Sequence, residues 1–217
     1  MVRTRNQNGL AMAIFAVAIV SSTGCVANLA AVMIHAWRGE TVEAQYDGLQ
    51  DHRVAVVCLS DSSMYAGQLS QSVERLLATH VPDIETVPQV DVYGWLDAND
   101  WNELDFAQLG KGVDAEFVVA IELDSFRLYD GMTMYKGRAD VVVSVHDVAK
   151  KGEVVFRTSS FQFEFPNSTP LATTDMAESQ FRRMFMNALA RRIAKSFYSY
   201  NIHEDLAVDS SLVSTVP

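Results

Sequence analysis

Few side chains in this sequence have types and spacings that could do chemistry. The cysteines are Cys25 and Cys58, and the five histidines are His35, His52, His80, His146 and His203. No two histidines stand three or four residues apart, so a metal site would have to assemble from distant elements, and none is expected. The patterns GxSxG, GxxxxGK, HExxH and CxxC, each tied to a defined mechanism, do not occur in the chain. Glu122 and Asp124 alternate onto one strand face, Lys136 and Arg138 onto a face of the next. A turn at Asp130-Gly131 would set these pairs nearly opposite each other as an ion-pair ladder. The sharper alternative, a general acid/base dyad, needs the two carboxylates in a desolvated cleft with separated pKa values. Asp61, Ser62 and Ser63 follow the first strand at its carboxyl end, where α/β sheets bind ligands and where helix caps also need such residues.

The chemistry with the clearest local support is acylation of Cys25. Residues 1–8 carry Arg3 and Arg5 and no acid, and the twelve residues Gly9 to Val20 are uncharged and largely apolar. This is the n-region and h-region of an export signal. SSTGC follows, and small residues before a cysteine resemble a bacterial lipobox, with Ser22 where Leu is commonest. Cleavage before Cys25 would leave 193 residues and remove Arg3 and Arg5, taking the side-chain charge from −10 to −12. Two acyl chains make a stable anchor where one is marginal. The alternative is a transmembrane anchor, because Gly9 to Trp37 is 29 residues without a formal charge. Ser21, Ser22, Thr23, Gly24 and Asn28 interrupt that run near its middle.

Lys plus Arg total 17 against 27 Asp plus Glu, so the chain repels phosphate backbones and nucleic acid is not an expected partner. With 11 Gly, 5 Pro and 49% hydrophobic residues, neither low-complexity disorder nor a disulfide scaffold fits. Cys58 lies in the apolar run RVAVVCLS and reads as a buried, unreactive thiol.

The elements that would position these residues follow from periodicity. Arg53 to Leu59 is a strand covered on both faces. Leu69, Val73, Leu76, Leu77 and His80 share one face of a helix ending before Pro82, and Ile84 to Val87 is a short strand. Two short helices come next, the first with Val92, Trp95 and Leu96, the second with Leu104, Phe106 and Leu109 and ended by Gly110 and Gly112 in left-handed conformation. Alternation over Glu116 to Leu123, the Asp130-Gly131 turn, Tyr135 to Val145 and Glu153 to Phe165 predict three consecutive antiparallel strands. A final helix carries Phe181, Phe185, Leu189, Ile193 and Phe197, with Asp175 and Glu178 spaced as a capping box. The predicted class is α/β, a mixed sheet in the order β-α-β-α-α-β-β-β-α with helices packed on it. The expected divisions are a lipoprotein signal at 1–24, an apolar segment and linker at 25–51, one domain at 52–202 and a flexible acidic tail at 203–217.

The stretches HRVAVVCLSDSS, SQSVERLLATH, LGKGVDAEFVVAIELDSF and VVVSVHDVAKKGEVVFRTSSF resemble the periplasmic lipoproteins of the curli-transport, TolB amino-terminal and penicillin-binding-protein activator group. That resemblance covers about Arg53 to Tyr200 and implies an α/β sandwich on a lipid tether that recruits or activates another envelope protein. The chain has no further alternating stretches to form pore hairpins. The expectation is a non-enzymatic, membrane-anchored protein on the periplasmic side of the cell envelope, without cofactor. Its partners would be the membrane, through lipid on Cys25, and an envelope protein or another copy of itself. Candidate contact residues are Tyr93, Trp95 and Trp101 around the short helices, and Arg182, Arg183 and Arg191 opposite the Phe stripe of the last helix. The rival is a small-ligand binder or hydrolase using the loop at Asp61.

Overall fold

The computed structural model describes residues 41–61, 63–99, 105–167 and 169–202. Cys25, Trp101 and Leu104, the signal segment and the acidic tail lie outside the described residues. The strands are β1 (Thr41–Val42), β2 (Arg53–Leu59), β3 (Glu85–Thr86), β4 (Phe117–Asp130), β5 (Met134–Asp147), β6 (Glu153–Arg157), β7 (Phe161–Phe165), β8 (Leu171–Ala172) and β9 (Tyr200–Asn201). The helices are α1 (Ser63–His80), α2 (Gln89–Ala98), α3 (Phe106–Gly112) and α4 (Glu178–Ala194). The class matches the sequence expectation, and the expected order is present with the short strands β1, β8 and β9 added.

The large sheet has the order β3-β2-β4-β5-β6, and β7 and β8 also pair with β5. β2 runs parallel to both β3 and β4, and the later pairings are antiparallel. β2 is buried on both faces because its alternate residues enter two cores. Val54, Val56 and Cys58 join Val119, Ile121, Ala139, Val141 and Val143 beneath α1 and α4. Ala55 and Val57 join Val118, Ala120, Val92, Leu96 and Leu109 beneath α2 and α3. The predicted Phe stripe of α4 is fully buried, from Phe181 to Phe197. The packed unit also takes in residues from 41 onward: Leu49 is fully buried in the larger core, and β1 pairs with β9.

Three local expectations are corrected. Gly110 and Gly112 are not left-handed; that role falls to Asp114 at φ 56°. The two glycines instead allow close approach, since a Cβ on Gly110 would overlap Val148 and one on Gly112 would overlap the Trp95 indole. The capping box does not form. The N-cap of α4 is Ala177 with no side-chain cap bond, and Glu178 accepts from Tyr129 Oη at 2.6 Å and from Arg182 Nη1 at 3.3 Å. The third strand is interrupted between Arg157 and Phe161. There Thr158 N donates to Val143 O at 2.8 Å while Val143 N donates to Thr158 Oγ1 at 3.0 Å, and one extra residue bulges from the edge.

The ion ladder forms with different partners from those expected. The hairpin pairs Asp130 with Met134, which places Asp124 opposite Asp140 and Glu122 opposite Val142. Lys136 and Arg138 reach instead to Glu164 on β7, at 2.9 and 3.1 Å. The hydrogen bond from Lys136, with Arg138 adding to it, holds the Glu164 carboxyl below its ordinary pKa. Such a group stabilises the fold above its unfolded pKa, and the contribution is lost as pH falls through the lower native value. Lys136→Met is expected to move the Glu164 midpoint upward, read by NMR of the side-chain carboxyl. An unmoved midpoint would show that Lys136 is not the cause.

Candidate functional site

The carboxyl end of β2 is where the sheet divides its connections. From β2 the chain passes through α1 on one face to reach β3, and from β3 it passes through α2 and α3 on the opposite face to reach β4. Parallel strands whose connections leave to opposite faces open a crevice at their carboxyl ends, the usual ligand position in α/β sheets. A cavity of about 940 Å³ lies there. Its lining includes Cys58, Leu59 and Gly67 as apolar wall, with Asp61, Asp97, Glu122 and Asp124 around them.

Each acid arrives for a separate structural reason. Asp61 lies in the connection after β2, Asp97 lies in the last turn of α2, and Glu122 and Asp124 share a face of β4 two residues apart. Glu122 accepts from Arg157 Nη2 at 3.1 and 3.3 Å. Asp61, Asp97 and Asp124 are exposed. Asp124 also faces Asp140 across the strand pair, so negative charge accumulates at this end of the sheet. A cavity with this lining favours a group that offers positive charge to the rim and carbon to the wall.

Among the described residues, Tyr93 is the one expected contact residue that lines the cavity. It is half-buried, its hydroxyl lies 3.1 Å from Ser70 Oγ, and burial raises its pKa. Trp95 packs half-buried against the smaller core, behind Gly112. The basic residues of α4 disperse around the helix. Arg182 bonds Glu178 and lies 5.8 Å from the Tyr65 ring centre, Arg183 is exposed, and Arg191 lines a separate groove against α1. Trp101 and the lipidation site Cys25 lie outside the described residues.

Cys58 sits against the cavity yet is 1% exposed, and burial pushes its thiol up to about 12. A thiol with so little thiolate is inert. Native protein is expected to resist alkylation at about pH 8, close to the ordinary thiol pKa, and to react on unfolding. Rapid labelling of the folded chain at Cys58 would contradict the burial.

His146, beside Asp147 at the end of β5, is held by two neighbours. Its Nδ1 lies 3.0 Å from Gly152 O and therefore carries a proton, because a carbonyl only accepts. Its Nε2 lies 3.0 Å from Ser144 Oγ. A serine, a histidine and an orienting acceptor are the parts of an activated nucleophile. Here Ser144 is 1% exposed and His146 6% exposed, with the Phe106 ring 4.0 Å away, so the pair supports the β5–β6 turn.

A mixed-sheet α/β domain with a crevice at its parallel strand ends defines the class of this molecule. Among solved structures it is similar to the PelC dodecamer from Paraburkholderia phytofirmans, at 10% identity over 73% of this chain and 96% of that one, TM-score 0.44. It is also similar to lipoprotein GNA1162 from Neisseria meningitidis, at 14% over 66% and 99%, TM-score 0.41. A third is a minor lipoprotein from Acinetobacter baumannii, at 10% over 66% and 89%, TM-score 0.33. Bacterial lipoproteins thus stand among the similar structures, and likeness at this level assigns no partner or activity. No family model matches the chain, and no curated protein sequence matches it. No helix among the described residues is long and apolar enough to cross a membrane.

Proposed function

We propose that this chain is a lipid-anchored protein of the cell envelope, on the periplasmic side, that acts as a non-enzymatic binding module for another envelope protein. The tether rests on the sequence: a basic n-region, an apolar h-region and SSTG directly before Cys25. The binding role rests on one observation, the crevice at the β2 and β4 strand ends with its acidic rim. Tyr93 forms part of its wall, and a basic side chain of the partner with an apolar stem matches both rim and wall.

The test uses Gly67→Leu, which fills the crevice from α1. Among the described residues, a Cβ at Gly67 meets only the Tyr93 ring end, at 3.9 Å, an ordinary contact, so the variant is expected to fold. Cross-linked affinity capture of the intact protein is expected to retrieve a specific envelope protein with wild type and to lose it with Gly67→Leu. Equal capture by both would remove the crevice from the binding role. The second reading, a small-ligand binder or hydrolase at Asp61, is favoured by the same position in the sheet. It becomes correct if purified wild type captures no protein and turns over a substrate that Gly67→Leu does not.

A further inference from the structure

The hydroxyl of Tyr93 reaches the crevice with its proton already committed. Ser70, on α1, is fully buried, and its Oγ lies 3.0 Å from Ala66 O, 3.2 Å from Gly67 O and 3.1 Å from Tyr93 Oη. A carbonyl oxygen only accepts, and a serine hydroxyl has one proton. Were that proton given to Tyr93, the buried Oγ would face two carbonyl oxygens with no hydrogen between them. The Ser70 proton therefore turns back to the carbonyls of its own helix, and Tyr93 donates to Ser70 Oγ. That bond uses the single phenol proton, so Tyr93 Oη offers only lone pairs to anything else.

Those lone pairs lie beside the crevice. Gly67 lines it together with Tyr93, and a Cβ on Gly67 would stand 3.9 Å from Tyr93 Oη and 4.0 Å from Cζ, so the missing side chain leaves the hydroxyl end uncovered from α1. Asp61, Asp97, Glu122 and Asp124 also line the crevice, and ionised carboxylates only accept. Among the described lining, a hydroxyl proton could come only from Ser60. The crevice is thus a set of acceptors on four different elements and loops, one of them neutral and fixed in its role by a buried serine.

We propose that Tyr93, its proton held by Ser70, is the specificity-determining residue of the crevice and selects a guanidinium side chain of the partner, an inference resting on the binding role given to the crevice. A guanidinium carries five N–H donors in a planar fork and no acceptor, so it serves acceptors that arrive from several elements at once. An ammonium gathers three donors at one point and reaches fewer of them. A neutral side chain of the same shape that carried a carbonyl would set its oxygen against acceptors, and a site rejects a group that it leaves unpaired. Tyr93 meets the guanidinium, and Ser70 is a positioning residue.

The test titrates the full chain, in nonionic detergent, with N-acetyl-arginine methylamide and with its citrulline counterpart, in which a carbonyl oxygen replaces one terminal nitrogen. Amide shifts of Gly67 and Tyr93 read occupancy by NMR, and urea denaturation checks that each variant folds. Wild type is expected to prefer arginine. Tyr93→Phe should weaken arginine about tenfold, as loss of a hydrogen bond to a charged group does, and change citrulline far less. Ser70→Ala frees the phenol proton for the citrulline carbonyl, so citrulline should tighten several-fold, whereas a merely structural role of Ser70 would weaken both probes alike. Arginine binding that Gly67→Leu abolishes, with an unchanged ratio of the two probes in Tyr93→Phe and Ser70→Ala, overturns the role of Tyr93 and leaves the crevice standing. Equal affinity of wild type for N-acetyl-lysine methylamide overturns the choice of a guanidinium. No shift at Gly67 or Tyr93 with arginine overturns this inference and the cationic occupant together.

Discussion

Phe185→Ala is expected to destabilise the full chain by about 4 kcal/mol, the upper range for a large core side chain reduced to alanine. Phe185 is fully buried and meets Phe126 edge-on at 5.4 Å and Phe163 at 5.6 Å. Beneath it Gly137 replaces a side chain on β5, and a Cβ there would overlap the Phe185 ring. The absent Cβ is what lets α4 sit low on the sheet, so Gly137→Ala alone is expected to cost about 2 kcal/mol through overpacking. In the double variant the added methyl enters the space that the ring has left. The cost should fall below the sum of the singles by about 1 to 2 kcal/mol. Urea denaturation of the four proteins checks this, and additive losses would mean that the ring and the glycine do not meet.

Cys25→Ala is expected to abolish incorporation of labelled palmitate and to leave residues 1–24 attached, because in the proposed tether the Cys25 thiol is the acylated atom and cleavage before Cys25 follows its acylation. Two acyl chains there would supply nearly all of the membrane affinity of an acidic mature chain, with each buried methylene worth about 0.8 kcal/mol. A variant that also lacks residues 1–24 is expected to pass from the membrane fraction to the soluble fraction. Retained label in Cys25→Ala would place the lipid elsewhere. Unchanged fractionation of the doubly altered chain would show that another surface holds the protein to the membrane.

Periodicity made the fold legible where burial is one-sided or complete. β2 reads as a continuous apolar run because both of its faces are covered, and α4 reads as a four-residue stripe because only one of its faces is. Legibility failed where tertiary contact replaced a local rule. Glu178 has the spacing of a cap, but Tyr129 and Arg182 claim its carboxylate. Gly112 looks like a helix stop, but the Trp95 indole needs its missing side chain. Asp105 caps α3 through Oδ1, which accepts from Ala107 N at 2.8 Å and Gln108 N at 3.2 Å, and an Asp directly before a short apolar helix is a signal that the sequence carries.

Site residues were partly legible for a related reason. Asp61 stands out as the residue after a buried strand, and Glu122 and Asp124 as alternating acids. That they join Asp97 around one cavity depends on α2 and β4 converging on the end of β2, which no local spacing encodes. The ladder partners differ from those the spacing predicts because the three residues between Asp130 and Met134 shift the register beyond a two-residue turn. Arg75 and Arg191 line one groove although they stand 116 residues apart in sequence, so their proximity is visible only after packing.

Mass spectrometry of the mature amino terminus bears most directly on the proposed tether. The first residue should be Cys25 carrying a thioether-linked diacylglyceryl group. A peptide beginning at Met1, or an unmodified Cys25 within a longer chain, would contradict it.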